Sequence, residues 1–348
     1  MSQTPRRLPV TYPTLILGLI LALTIGSGPA RAGTLEDVRT RGVLRCAVNG
    51  ELPGLSYKDD KGVWSGLDVD FCRALAAAVL GHADKLELVP VSTANRFDVL
   101  REGEADLLSR NTTWTLSRDL DLDVVFVGIL YHDGQGFMVG RDTDTLSALE
   151  LSNRPVCALA DTTGPDNARG WFLRHRMTLE LKEYPDMKAA TQAYLDKACY
   201  ALTGDQSQLY SVRAAMHGEN AHRILPEVIS KEPLSPAVRR DDPRWFDIVR
   251  WVLFTLIDAE EAGIDSVNVD QVRDRARTAE VRLLLDVDGA TGDLLGLTKG
   301  WSYRIVDQVG NYAEIFERNL GAGSPLKIKR GLNALWRDGG ILYAPPAR

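Results

Sequence analysis

From Gly42 onward, short apolar runs alternate with helix-period patterns, and the runs end in clusters of hydroxyl, amide or carboxylate side chains. Strands separated by crossover helices pair in parallel and are covered on both faces, so this alternation points to α/β layers. The run at 43–48 reads as a strand ended by the turn-rich 49–54, and 57–64 reads as a hairpin. An amphipathic helix follows over 68–80, stopped by Gly81. The unit then recurs as a strand at 86–89, a helix at 95–102 stopped by Gly103, and a strand at 105–108. In such sheets small ligands sit beyond the carboxyl ends of the strands, where loops meet helix N-termini.

A second unit starts with a strand at 156–159 leading into Asp161-Thr162-Thr163-Gly164. A helix at 186–197, a strand at 199–202 and a helix opened by Gly204-Asp205-Gln206 complete it, and the chain leaves it near 235–238. Asp242 is placed to cap a long helix that has Pro243 at its first position and Gly263 past its end. Asp247, Arg250 and Asp258 interrupt that helix too often for a membrane span, so it reads as a core helix. Helical patterns recur at 299–318, notched by Gly310, and at 326–336, while 286–292 reads as an exposed loop.

At 348 residues the chain is long for one core. The repeated grammar predicts two lobes, each a mostly parallel sheet flanked by helices, joined by two passages of the chain with the site between them. Residues 33–139 and 238–348 are expected to form the first lobe, and 140–237 the second.

The first 32 residues have the order of a secretory leader: Arg6 and Arg7, an apolar run at 15–25, then Ala30-Arg31-Ala32. Cleavage is expected after Ala32, with export to the periplasm. The apolar run falls short of the ~20 residues that span a bilayer, so no stable membrane insertion is expected. Loss of Arg6, Arg7 and Arg31 takes the formal charge from −6 to −9, which argues against nucleic acid or an anionic surface as partner. Exported cysteines tend to pair, and there are four: Cys46, Cys72, Cys157 and Cys199. They allow three connectivities, of which Cys46 with Cys72 and Cys157 with Cys199 is the most local; four buried free thiols are the alternative.

The run from Ser109 to Arg118, directly after the strand at 105–108, carries the densest recognition chemistry. Arginine offers a planar fork that matches a carboxylate in two parallel hydrogen bonds, and threonine and asparagine add short neutral partners. An α-amino acid presents a carboxylate and an ammonium on one carbon, and a site that removes both from water must pair both. Arg118 is the candidate for the carboxylate, assisted by Thr113, Thr162 and Thr163; Asp205 is the candidate for the ammonium, with Asn111 beside it. Each has a plainer reading: Arg118 as a solvated pair with Asp119, the others as helix caps, and Trp114 as packing. No phosphate loop, nucleophile elbow, zincin motif or metal-ligand spacing occurs, so no catalytic residue, metal or cofactor is expected.

Gly66-Leu67-Asp68-Val69-Asp70, the run 106–118, Asp133-Gly134-Gln135-Gly136-Phe137, Asp205-Gln206-Ser207 and the tail 328–336 together give a specific resemblance. Over 33–348 the chain resembles the periplasmic solute-binding proteins of polar and general L-amino acid ABC transporters, the general L-amino-acid-binding subfamily above all. The resemblance implies a type II-like two-lobed fold with two hinge strands. It implies a monomeric receptor, not an enzyme, that closes on an L-amino acid and delivers it to an inner-membrane ABC permease. It assigns the ligand carboxylate to Arg118, the ammonium to Asp205, and further hydrogen bonds to Asn111, Thr113, Thr162 and Thr163. It also implies two intra-lobe disulfides, Cys46–Cys72 and Cys157–Cys199.

Two departures bear on the pocket. Many relatives have glycine where this chain has Asp161, and many carry an aromatic clamp where Glu51 and Leu52 precede Pro53. A missing clamp suits broad specificity, while Glu51 would suit a basic side chain. Enzymes such as cyclohexadienyl dehydratases share the fold, as do ligand sensors that dock on a chemoreceptor or sensor kinase, and these are the alternative readings.

Overall fold

The structure, a computed structural model, describes Thr4 and residues 33–216 and 219–348. The leader and its cleavage after Ala32 lie outside the described residues. Helix α1 (Thr34–Arg41) precedes β1 (Leu44–Val48), β2 (Glu51–Leu52), β3 (Ser56–Lys58), β4 (Trp64–Ser65), α2 (Leu67–Leu80), β5 (Leu86–Pro90), α3 (Arg96–Arg101), β6 (Leu107–Leu108), α4 (Leu116–Asp121) and β7 (Val124–Phe126). Then come β8 (Tyr131–Asp133), β9 (Gln135–Gly140), β10 (Pro155–Leu159), α5 (Gly164–Arg174), β11 (Glu180–Tyr184), α6 (Met187–Leu195), β12 (Ala201–Asp205), α7 (Gln206–Ala215) and β13 (His222–Ile224). After β14 (Glu232–Leu234) and β15 (Ala237–Arg239) follow α8 (Pro243–Glu261), α9 (Val269–Asp274), α10 (Ala279–Leu284), α11 (Ala290–Leu295), α12 (Trp301–Val309) and α13 (Tyr312–Asn319).

Two five-stranded sheets, ordered β5-β1-β6-β15-β7 and β11-β10-β12-β9-β13, form two lobes. In each, one strand, β15 or β9, runs against the other four. The chain passes between the sheets twice, through β8 and β14, which pair antiparallel with Asp133 opposite Glu232. The expected lobe break after 139 cuts through β9, which pairs along its length with β12. Crossover grammar carries no signal for a reversed strand inserted beside β12. The hairpin expected at 57–64 is present as β3 and β4, with Lys58 opposite Trp64.

Local chemistry accounts for the helix that organises the first lobe. Asp242 Oδ1 accepts from the Trp245 backbone N–H at 2.9 Å, and Trp245, Ile248, Val249, Val252, Leu253 and Leu256 place one apolar stripe of α8 in the core. Among the described residues no helix is long and apolar enough to cross a membrane. Cys46–Cys72 ties β1 to α2, and Cys157–Cys199 ties β10 to the entry of β12, so each bridge stays within one lobe.

The tail departs from its periodicity. In place of a helix over 326–336, Lys327 and Gly331 turn left-handed, at φ 50° and 51°. Leu326, Leu335 and Leu342 are thereby delivered into the core. Asn333 then brackets the backbone of His132 on β8, accepting from its N–H at 2.7 Å and donating to its carbonyl at 3.0 Å. Nor is 286–292 an exposed loop. Asp286 is buried, and its carboxylate accepts from the backbone N–H groups of Thr291, Gly292 and Gly300 at 3.0, 3.1 and 2.8 Å, which starts α11.

Candidate functional site

A cavity of about 890 Å³ lies between the carboxyl edges of the two sheets, within the size range of small-molecule sites. Arg118, Asp205, Asn111, Thr113, Thr162, Thr163, Glu51 and Leu52 all line it. Asp161, the other residue expected to bear on the pocket, is not among those lining it.

The first lobe's share is built from the start of α2. Gly66 has φ 129°, and a Cβ there would lie 2.1 Å from the Leu55 carbonyl oxygen, so only glycine fits. That turn aims Asp68 at the loop after β6, where its carboxylate accepts from Ser109 Oγ at 2.9 Å and from the Asn111 N–H at 3.1 Å. Burial raises the Asp68 pKa to about 6 against the lowering effect of those bonds. Asp70 of the same motif points the other way and receives Arg73, Arg318 and Asn319, fastening α13 to α2.

With its backbone held by Asp68, Asn111 adopts the left-handed conformation, φ 37°, which asparagine tolerates better than other residues with a Cβ. Its Oδ1 is buried without a hydrogen-bond partner among the described residues. Trp114 stacks on Phe126 at 5.8 Å and is a packing residue, as expected. Arg118 stands on α4, capped by Thr115, and donates from Nη1 to the Thr113 carbonyl at 2.8 Å. Asp119 instead pairs with Arg240, so Arg118 is not half of a solvated surface pair. Burial lowers the Arg118 pKa, while Glu232 and Asp205 oppose the shift.

On the second lobe the Thr162 hydroxyl closes its own turn, donating to the Leu159 carbonyl at 2.8 Å and accepting from the Gly164 N–H at 3.2 Å. Asp205 occupies the N-cap position of α7 yet makes no cap bond. Asp133 takes that task, accepting from the Ser207 N–H at 3.2 Å. The Asp205 carboxylate is thereby left to the cavity. Burial pushes its pKa well up, Asp133 and Glu232 add to the rise, and Arg118 opposes it. Burial likewise raises Asp133 to about 6.

Four residues escaped the sequence reading. Glu232 on β14 is only 1% exposed, and its carboxylate accepts from Thr113 Oγ1 at 2.6 Å, Thr163 Oγ1 at 2.8 Å, Asn167 Nδ2 at 2.7 Å and Ser230 Oγ at 2.6 Å. Lys-Glu-Pro carries no local sign of that role. Asp133 opens the segment 133–137 that carries part of the resemblance, Arg110 lies within the polar run 109–118, and Arg96 has no motif around it. Both arginines are buried and line the cavity. The cleft is thus lined by three guanidiniums, Arg96, Arg110 and Arg118, and by the Asp205 carboxylate, with Asp133 and Glu232 near enough to act on Asp205.

Known proteins share this architecture. Residues 44–263 match the model for bacterial extracellular solute-binding proteins, family 3. The chain is 46% identical to the general L-amino acid-binding periplasmic protein AapJ of Rhizobium johnstonii, over 94% of this chain and 96% of that protein. It is 42% identical to the glutamate/glutamine/aspartate/asparagine-binding protein BztA of Rhodobacter capsulatus, over 95% and 98% respectively. A solved ABC transporter/periplasmic binding protein from Brucella ovis with glutathione bound is 46% identical and superposes with a TM-score of 0.89, over 91% of this chain and 100% of that one. With the fold, the cleft and these likenesses in agreement, the chain belongs to family 3 of the bacterial extracellular solute-binding proteins.

Proposed function

We propose that the chain is the extracytoplasmic receptor of an amino-acid ABC importer, which closes its two lobes on an L-amino acid and delivers it to an inner-membrane permease. The observation that carries this reading is the opposition of Arg118, on the first lobe, to Asp205, at the end of a second-lobe strand. In this reading Arg118 holds the ligand carboxylate and the ionised Asp205 holds the ammonium. Asn111, Thr113, Thr162 and Thr163 supply further hydrogen bonds, and Glu51 and Leu52 border the side-chain end. Contacts made from both lobes favour the closed population, so the ligand itself drives closure.

The names of AapJ and BztA support an amino-acid ligand, and the glutathione in the Brucella ovis protein fits a cavity larger than one residue needs. The leader expected to be cleaved after Ala32, together with the periplasmic relatives, supports a periplasmic site of action. Titration calorimetry of ligand-free protein against the common L-amino acids tests the reading. Arg118→Ala should cost on the order of 3–5 kcal/mol, roughly two to four decades of affinity, because the ligand carboxylate loses its buried partner. Binding unchanged by that substitution would overturn the assignment.

A further inference from the structure

Three consecutive residues at the first crossing between the lobes are held by the C-terminal part of the chain. The Tyr312 hydroxyl of α13 donates to the Leu130 carbonyl at 2.7 Å, and Phe316 stacks on the Tyr131 ring with centroids 6.3 Å apart. Asn333, itself 3% exposed, accepts from the His132 N–H at 2.7 Å and donates to its carbonyl at 3.0 Å. A carboxamide carries the donor and the acceptor of a peptide group, so Asn333 satisfies β8 as a further strand beside the two-stranded ribbon would. Arg330 lies 5.3 Å over the Tyr312 ring and 5.0 Å over that of Phe316, and its bonds to Glu260 tie this clamp to α8. Tyr312, Phe316, Arg330 and Asn333 all lie beyond residue 263, where the family match ends.

The next residue of the strand acts on the cleft. Asp133 accepts at one oxygen from the Gly134 N–H at 2.8 Å and at the other from the Ser207 N–H at 3.2 Å, while the Gly134 carbonyl accepts from the Gln206 N–H at 2.8 Å. The N-terminus of α7 is thus fastened to the end of β8, and Asp205, at the N-cap position of that helix, makes no cap bond of its own. An aspartate at an N-cap is the ordinary acceptor for such N–H groups. A retreat of Asp133 would therefore let Asp205 turn back onto its own helix and away from the cavity.

We propose that Asn333 is a positioning residue for the amino-acid site: the C-terminal clamp fixes β8 so that Asp133, not Asp205, caps α7, and the Asp205 carboxylate stays available to a ligand ammonium. The proposal rests on the amino-acid reading above, in which Asp205 meets the ammonium. Asn333 does not line the cavity, and its action passes through the His132 backbone to the Asp133 carboxylate. Glu232, Asp205 and Tyr131 are within electrostatic reach of that carboxylate, and Arg118 is within reach of Asp205. Moving Asp133 therefore also changes how Asp205 titrates.

The test is a double-mutant cycle read by titration calorimetry on the full mature protein, with L-glutamine and L-alanine as probes because their side chains are uncharged. Asn333→Ala should weaken binding by about 3–10-fold, the worth of one neutral hydrogen bond. It should also lower the number of protons released on binding, because an Asp205 drawn onto the helix N–H groups is already ionised before the ligand arrives. Asp133→Ala should weaken binding as well, and adding Asn333→Ala to it should bring little further loss, since both act through one cap. Tyr312→Phe removes a single hydroxyl and should shift affinity and proton release in the same direction, which keeps the test decisive if Asn333→Ala does not fold. Unchanged affinity in Asn333→Ala, or in Tyr312→Phe where Asn333→Ala does not fold, overturns the proposal. So does an affinity loss with unchanged proton release, or one that adds in full to that of Asp133→Ala. If the probes bind the wild type and the cycle is additive, the clamp alone falls. If neither probe binds the wild type, the amino-acid reading falls with it.

Discussion

The Thr113 hydroxyl on the first lobe and the Thr163 hydroxyl on the second both donate to one oxygen, Glu232 Oε2, at 2.6 and 2.8 Å. A single buried carboxylate on a crossing strand thus holds both jaws of the cleft. Glu232→Ala would strand those hydroxyls and Asn167 without an acceptor. The expected loss is about 2–4 kcal/mol of unfolding free energy in ligand-free protein, read from denaturant curves. Glu232→Gln, which keeps an acceptor oxygen, should lose less, and equal losses would show that charge rather than acceptor geometry matters.

Amino-acid affinity should depend on pH through Asp205 and Asp133. Burial raises both carboxyls, Asp133 to about 6, so the ligand-free cleft retains protons near neutrality. A ligand ammonium favours the ionised form, so binding should release protons, and affinity should rise with pH through the region around 6 where Asp133 titrates. Calorimetry in buffers of different ionisation enthalpy measures the release directly. Asp205→Asn should lower affinity by about 10–100-fold and flatten the pH profile. Proton uptake on binding would contradict this scheme.

The bridges close loops of 26 and 42 residues within their own lobes. Removing either by paired Cys→Ala substitution should cost about 2–5 kcal/mol. The oxidised mature protein, denatured without reductant, should show no alkylatable thiol by mass spectrometry, whereas four would mean the bridges are absent.

Asn333 ties the tail to a crossing strand through both backbone groups of His132, and Arg330 anchors the same segment on Glu260 through two bonds of 2.9 and 3.0 Å. Asn333→Ala would leave both His132 groups without their partner at a cost of about 1–3 kcal/mol. Amide exchange at His132 should accelerate while that of the α8 core amides stays slow. Unchanged exchange at His132 would mean the tail does not brace the crossing.

The layered fold was legible because hydrophobic periodicity and helix stops are local. Gly81, Gly103 and the Asp242-Pro243 start of α8 mark boundaries that the chain keeps. The reversed strand β9 and the irregular tail were not legible, because an antiparallel insertion and a left-handed Lys327 are decided by the partners they meet. Burial of Asp286 was equally hidden, since its three N–H donors come from later residues that only the fold brings round.

Of the three cysteine pairings the sequence allowed, only the resemblance implied the one the structure adopts, whereas the sequence by itself determined the α/β layers and the polar loops that line the cleft. Those follow from spacing along the chain. Only the tertiary structure decided which charges face one another: Asp133 takes over the cap so that Asp205 is released to the cavity, Glu232 gathers threonines from both lobes, and Arg96 and Arg110 join Arg118 in lining the cleft. The physical reason is that the pairing and pKa of a buried charge depend on desolvation and on neighbours a few ångströms away, and neither has a fixed separation in sequence.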